Sequence, residues 1–317
     1  MAFFVLKRLG SLVVSLFVAS IIVFVVVQLL PGDVAQMILG RSATPESLDA
    51  IRRSLGLYEP LHLRYLKWMM GVLRGDLGES LSVMGWRISD LLVQRAYYSL
   101  FLAGWAMVII VPIALFLGTI AGLKHDSALD KFISLTTIVA FSLPEFATGA
   151  FLIFIFALCL KWLPAASAIN PSVSLIKQLP ALILPILTLS LALLGYQARM
   201  VRSSVIEVSS SNYVRTAFLK GLPRKDIFLR YVLRNALLPS VTVIAMNIGW
   251  LIGGLVIVET VFGYPGVGSL VLFAIVQRDV PLIQATVLFV VMGYVVLNFV
   301  ADLLYMYLNP RIRHIAE

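Results

Sequence analysis

The chain has 317 residues, of which 60% are hydrophobic and only 13% are charged. Soluble domains are nearer half apolar and a quarter charged, so the composition excludes a soluble globular protein and points to an integral membrane protein. The net charge of +9 belongs to membrane topology and not to nucleic acid, because Lys and Arg collect on the cytoplasmic loops of multi-pass proteins.

A bilayer core takes about 20 apolar residues per helical span. Helices are expected, since lipid leaves no partner for an open backbone, and the alternation of a lipid-facing barrel strand is absent. Six spans are predicted, at 9–30, 100–123, 132–160, 179–198, 238–258 and 282–308. The first apolar run is too long for a signal-peptide core and lacks a small-residue cleavage site, so no cleavable leader is expected. The only cysteine, Cys159, can form no disulfide within the chain.

Orientation follows from the short loops. Lys7 and Arg8 precede the first span, Lys124 and Lys131 flank the loop after the second, and Arg311 and Arg313 follow the sixth. Arg199, Arg202, Arg215, Lys220, Arg224, Lys225, Arg230 and Arg234 lie between the fourth and fifth. An even number of spans places all of these, and both termini, on the cytoplasmic side. The predicted organisation is a first span within 1–30, an extracytoplasmic insert at 31–99, a five-helix core at 100–308 and a cytoplasmic tail at 309–317. The insert holds a helix signal in "TPESLDAIRRSLGL", with Thr44 as N-cap and Pro45 at the first helical position.

The basic segment at 199–237 is the most informative. A helix over 207–221 places Val214, Ala217, Phe218 and Gly221 at i, i+3, i+4 and i+7, a single face with two very small residues. Gly221-Leu222-Pro223 then ends that helix and opens a second over 224–238. On the second helix Asp226 and Arg230 stand at pairing distance along one stripe. Three readings fit this segment: a docking face for a protein partner, a basic helix lying on anionic lipid, or a topology signal.

Catalytic patterns are missing. There is no GxxxxGK[ST] phosphate loop and no Gly-x-Ser-x-Gly elbow. His62, His125 and His314 lack the i, i+4 spacing of a helical metal site, so no metal is expected. Ionisable groups near the membrane are few: Glu145 after Pro144, Glu259 at the outer end of the fifth span, and Asp302 near the inner end of the sixth. Pro144, Glu145, Asn247, Glu259 and Asn298 are candidates for lining a path, or equally for helix–helix hydrogen bonding. In "VETVFGYPGVG" at 258–268, Tyr264-Pro265-Gly266 reads as a type II turn before a short re-entrant or interfacial segment.

The segment "YVRTAFLKGL…LRNALLP" resembles the cytoplasmic loop of permease subunits of bacterial ABC importers, in the dipeptide/oligopeptide/nickel branch. That loop carries a motif E-A-A-x-x-x-G. Here Arg215, Thr216 and Ala217 occupy the first three positions and Gly221 the glycine, so the first two depart from the pattern. "LPGD" at 30–33, "RSLGLYEPL" at 53–61, "GDLGES" at 75–80, "SLPEF" at 142–146, "RDVPLIQ" at 278–284 and "NPRIR" at 309–313 also resemble the branch, in order. "RAYYSL" at 95–100, Glu145 and "LPAAS" at 163–167 depart from it.

The resemblance implies an all-α permease of a multi-pass bacterial inner membrane protein, with no catalytic residue of its own. It implies a homologous second permease, two cytoplasmic ABC ATPases that bind ATP and magnesium, and an extracytoplasmic solute-binding protein. No cofactor is expected in this chain. Glu207, Val214, Arg215, Thr216, Ala217, Phe218, Lys220, Gly221, Leu222 and Arg224 would couple it to an ATPase, with Ala217 and Gly221 permitting close approach. Di- or oligopeptides are the implied cargo; a nickel chelate of similar size and, on a different principle, a stand-alone secondary transporter are the alternatives.

Overall fold

The computed structural model describes residues 2–29, 44–54, 56, 58–83, 85–170 and 172–308, with the backbone alone at 2–5, 7, 51, 54, 238–248, 250, 304, 305, 307 and 308. The motifs at 30–33 and 309–313, and the tail with Arg311 and Arg313, lie outside the described residues, as do the side chains of Lys7 and Asn247. The described elements are helical: α1 Ala2–Gln28, α2 Pro45–Ser54, α3 Leu61–Leu73, α4 Ile88–Leu123, α5 Ala128–Ser142, α6 Glu145–Leu152, α7 Leu179–Ser209, α8 Asn212–Leu219, α9 Arg234–Val261, α10 Val267–Val276 and α11 Val280–Leu308. π-Helical turns, Ile153–Cys159 and Ile227–Leu233, extend α6 and lead into α9.

Among the described residues four helices are long and apolar enough to cross a membrane, at Arg8–Gln28, Ile88–Leu123, Leu175–Ser209 and Val280–Leu303. A bent pair, Ala128–Ser142 and Glu145–Cys159, makes a fifth if counted as one span. Three predicted spans are thereby corrected. The second begins at Ile88, twelve residues before 100, and the fourth continues to Ser209. The third turns by 104° instead of running straight through 132–160. Its break has a steric cause: Pro144 pushes the preceding Leu143 out of the helical region, to φ −83° and ψ 128°.

The chain forms two compact units. One comprises Met1–Leu9, Leu100–Tyr264 and Val296–Glu317; the other comprises Gly10–Ser99 and Pro265–Val295.

In the first unit α7 is the central helix, and its contacts with α5 and α9 are the most extensive. Backbones meet closely along it. A Cβ on Gly195 would stand 2.2 Å from the Thr137 carbonyl oxygen of α5, and one on Gly118 of α4 would stand 2.5 Å from that of Ala198. Helix α5 opens on Ser127, whose hydroxyl accepts the Asp130 N–H at 3.2 Å, as an N-cap should. Asp130 is buried and paired bidentately with Arg202 of α7, Nε to Oδ1 at 2.6 Å and Nη2 to Oδ2 at 2.7 Å. Arg8, in α1, pairs with Asp302, in α11, at 2.9 Å.

In the second unit Val23, Val27, Ile88, Leu91, Leu92, Leu270 and Leu282 form an apolar core. Phe24, Tyr65 and Trp68 stack beside it, with Phe24 and Tyr65 edge-on. Thr44 and Ser47 cap α2 reciprocally: the Thr44 N–H donates to the Ser47 hydroxyl at 3.0 Å and the Ser47 N–H to the Thr44 hydroxyl at 3.2 Å, which bears out the predicted cap. The Tyr58 hydroxyl, with help from Arg53, holds the Asp49 carboxyl below its ordinary range. Buried Asp279 organises this unit. Its Oδ1 accepts the Leu282 N–H at the start of α11, and its Oδ2 accepts the hydroxyls of Ser80 and Ser82, each at 2.6 Å, and the Ser82 N–H at 2.9 Å.

Two outcomes follow. Gly195→Ala overpacks the α5–α7 contact and should destabilise the protein by about 1–3 kcal/mol, read as a lowered melting temperature in detergent. Asp279→Ala removes the common acceptor of the serines and the α11 cap. Limited proteolysis should then cut within 76–83 several times faster than in the wild type, with cleavage elsewhere unchanged.

Candidate functional site

The segment 199–237 is built differently from its prediction. No helix spans 207–221: α7 ends at Ser209 and α8 begins at Asn212. The serine run supplies the reason, since serine hydroxyls compete for helix carbonyls. The Ser210 hydroxyl donates to the Glu207 carbonyl at 2.9 Å, and the Ser211 hydroxyl to that of Val208 at 2.6 Å. Glu207 therefore sits on the exposed last turn of α7, and its carboxylate makes no ion pair among the described residues.

The predicted docking face is only half open: Val214 and Ala217 are buried, while Phe218 and Gly221 are exposed. Val214 and Ala217 are 1% and 3% exposed, packed with Val201 and Val205 of α7 and with Ile227, Val232 and Ala236. What α8 leaves open is its outer side and its C-terminal tip. Phe218 is 52% exposed and Leu219 80% exposed, beside exposed Tyr213, Arg215, Thr216 and Lys220. Of the four residues on the predicted face, Val214 and Ala217 pack on the chain's own core.

The turn after α8 is borne out. Gly221 has φ +72°, a conformation costly for any residue with a Cβ. The Leu222 N–H reaches back to the Ala217 carbonyl at 3.3 Å and the Gly221 N–H to that of Phe218 at 3.0 Å, the paired bonds of a Schellman cap. Leu222 packs against the same core as Val214 and Ala217. Pro223 precedes the next helical turn, Arg224–Asp226, as its N-cap. Helical backbone then runs unbroken from Arg224 through the π-turn into α9, so the predicted second helix at 224–238 merges with the fifth apolar stretch. Arg230 lies 3.8 Å from Asp226, as predicted. Arg215, Lys220 and Arg224 are exposed and make no ion pair among the described residues.

The path candidates are dispersed. Pro144 is exposed at the bend, and Glu145 is half-buried at the first position of α6. The Glu145 carboxylate lies near Gly254 of α9, where a Cβ would be 3.8 Å from Oε1. Asn298 of α11 packs on a different glycine of α9: a Cβ on Gly249 would stand 2.7 Å from its Oδ1. That contact fits the helix-packing reading of Asn298. Glu259 is fully buried near the end of α9, and its carbonyl accepts the Tyr264 N–H at 2.8 Å. The turn that follows is not centred on Gly266, which is extended; the left-handed residue is Gly263, at φ +61°. A short apolar helix, α10, does follow, as expected. The loop at 163–167 is tied down by buried Ser167, whose N–H donates to the Phe262 carbonyl at 2.8 Å and whose hydroxyl donates to that of Ala181.

Sequence reasoning missed the Asp130–Arg202 pair and the Asp279 cluster. Ser127-Ala128-Leu129-Asp130 was the available signal for the first, a capping-box spacing just before an apolar run. For the second, no local pattern links serines to an aspartate some two hundred residues away.

Residues 114–314 match the family described as binding-protein-dependent transport system inner membrane component. The chain belongs to that family. Residues 1–84 match the N-terminal component described for the same systems. A probable peptide ABC transporter permease protein, y4tP, of Sinorhizobium fredii (strain NBRC 101917 / NGR234) is 36% identical over 99% of this chain and 100% of its own length. The glutathione transport system permease protein GsiC of Salmonella paratyphi A is 36% identical over 98% of this chain and 99% of its own. A solved chain from an amino acid ABC transporter aligns with 69% of this one and 94% of itself, at 14% identity and a TM-score of 0.49. This multi-pass membrane permease is a transport component.

Gly221→Ala tests the permease's turn. A Cβ there meets nothing within 4 Å, so the expected cost is conformational alone, about 1–2 kcal/mol. Gly221→Asn, which tolerates the left-handed region better, should restore part of the lost melting temperature.

Proposed function

We propose that this permease forms half of the translocation pore of an ATP-driven importer of short peptides. In this reading it pairs with a homologous permease, accepts cargo from an extracytoplasmic binding protein and is driven by two cytoplasmic ATPases that hold ATP and magnesium. The match to peptide and glutathione permeases along nearly the whole chain supports the cargo class, glutathione being itself a small peptide. A nickel chelate is left as the alternative cargo.

The topology proposed with it has six spans, both termini cytoplasmic and the insert at 31–99 outside. The Arg8–Asp302 pair supports it, since it joins the first turns of α1 to the far end of α11, as an even span count requires. The Asp130–Arg202 pair likewise joins the start of α5 to the lower part of α7, so the basic loop at 124–131 and the segment at 199–237 share a side.

One observation carries the coupling role: α8 is braced on a core shared with α7 and the run into α9, while presenting an aromatic and aliphatic tip flanked by cations that make no ion pair among the described residues. Leu219, 80% exposed, stands beside Phe218 on a segment that the proposed topology keeps out of the lipid, which supports this reading. Phe218 and Leu219 enter an ATPase groove, Arg215, Lys220 and Arg224 pair with acids at its rim, and Val214, Ala217, Gly221 and Leu222 hold the helix in place. Glu207 and Thr216 lie beside this contact, at the end of α7 and on α8. ATPase closure then moves α8 as a rigid body together with α7 and α9. Pro144, Glu145, Asn247, Glu259 and Asn298 remain the proposed positions along the path.

The test replaces the tip and leaves the core alone. Phe218→Ser with Leu219→Ser should keep the permease folded in the membrane but reduce copurified ATPase at least tenfold, a loss of about 1.4 kcal/mol or more. Undiminished ATPase recovery and peptide uptake would refute the docking assignment.

A further inference from the structure

Between α4, α5 and α7 lies a cavity of about 330 Å³ that the transport reading leaves unused. Ala121, Ile133 and Ala198 form its apolar side; Ser134, Arg199 and Arg202 form its polar side. It sits between two fixed points on α7, the close contact of Gly195 with the Thr137 carbonyl and the Asp130–Arg202 pair.

The unused polar capacity in this cavity is cationic. The Ser134 hydroxyl donates to Asp130 Oδ1 at 3.2 Å, and the Thr137 hydroxyl donates to the Ile133 carbonyl at 2.8 Å. Both hydroxyls therefore use their single proton locally. Arg202 uses its Nε and one Nη2 hydrogen on Asp130, and its Nη1 has no partner among the described residues. Arg199 makes no ion pair among the described residues. Asp130 balances Arg202, so the lining carries one net positive charge, on Arg199. Exposed Lys124 and Lys131 stand at the two ends of the adjoining turn, with exposed Asp126 opposing them.

A ligand for this space needs one negative charge, several acceptor oxygens and an apolar portion. We propose that the cavity binds the phosphate ester of an anionic phospholipid. Arg199 and the free edge of Arg202 take the phosphate oxygens in the manner guanidinium groups favour, and Ile133 and Ile138 line the glycerol end. The inference rests on the proposed topology, which sets this corner at the cytoplasmic face, where basic pockets between helices meet lipid headgroups.

The test uses the complete transporter in nanodiscs of phosphatidylcholine, of phosphatidylcholine doped with phosphatidylglycerol, or of phosphatidylcholine with inorganic phosphate in the buffer. Phosphatidylglycerol should raise the wild-type melting temperature. Arg199→Gln should need about tenfold more of it for the same rise, as expected for one charge-assisted contact. Ile138→Trp, which fills the cavity and keeps every charge, should abolish the rise. An equal rise with inorganic phosphate overturns the lipid as the source. No rise in the wild type, or an unaltered rise in both variants, overturns the site. Topology is read separately, by a membrane-impermeant thiol reagent on Lys124→Cys in a Cys159→Ser background. Labelling confined to inverted membranes leaves the topology standing whatever the lipid result, and labelling of intact cells refutes the topology itself.

Discussion

The first unit depends on how closely α7 meets its neighbours. In lipid the hydrocarbon tails are as apolar as leucine, so helices gain little by hiding side chains from solvent and associate through tight packing and polar contacts. Gly195 on α7, and Gly118 and Gly122 on α4, meet facing residues at distances that exclude a Cβ. Arg202 adds a bidentate bond to Asp130 at the end of the same contact. Removing Arg202 would leave the buried Asp130 carboxylate uncompensated, which is costlier than never having had the pair. Packing and charge together fix the register of α5 on α7.

On the proposed coupling role, that fixed register gives the segment 199–237 its mechanical value. Val201 and Val205 of α7, Val214 and Ala217 of α8, and Ile227, Val232 and Ala236 beyond the turn form one buried cluster. Close-packed interiors transmit displacement instead of absorbing it. The serine turn at 210–211 and the Schellman turn at Gly221 change the chain's direction on either side of α8. In that proposal a force on the exposed tip of α8 would be delivered to two long helices at once. The π-turn between Asp226 and Arg234 is the irregular part of this lever, and such turns are common at functional sites.

The sequence shows the fold class and the turn residues clearly, because these follow from local rules: apolar length for the spans, Thr44 for a cap, Gly221 for a left-handed position, Pro144 for a break. It is less clear about burial. Val214 and Ala217 fall on a helical face with the spacing of a docking surface, and periodicity alone cannot tell an inward face from one reserved for a partner. It also hides continuity. Helix α4 begins twelve residues before 100 because Ile88, Leu91 and Leu92 belong to the core of the second unit, and hydropathy alone cannot assign polar-flanked residues such as these to a helix. The Asp279 cluster joins residues far apart in the chain, so no local pattern announces it.

The cations of this segment divide into two kinds, and the division bears on what each does. Arg202 and Arg230 have carboxylate partners within the chain, at 2.6 Å and 3.8 Å. Arg215, Lys220 and Arg224 surround an apolar tip and have none among the described residues. A basic helix evolved only to rest on anionic lipid would turn its apolar face toward the bilayer. Here the apolar residues Val214 and Ala217 are already buried in the protein, leaving Phe218 and Leu219 to project from α8. In the proposed docking, such a tip, with cations unpaired among the described residues, fits a socket with an acidic rim. The lipid-directed role fits the Arg199 corner better, where a guanidinium faces a cavity with apolar walls. On the proposed topology both lie on the cytoplasmic side, so one basic region would serve two partners of different chemistry, distinguished by whether the arginine borders a protrusion or a pocket.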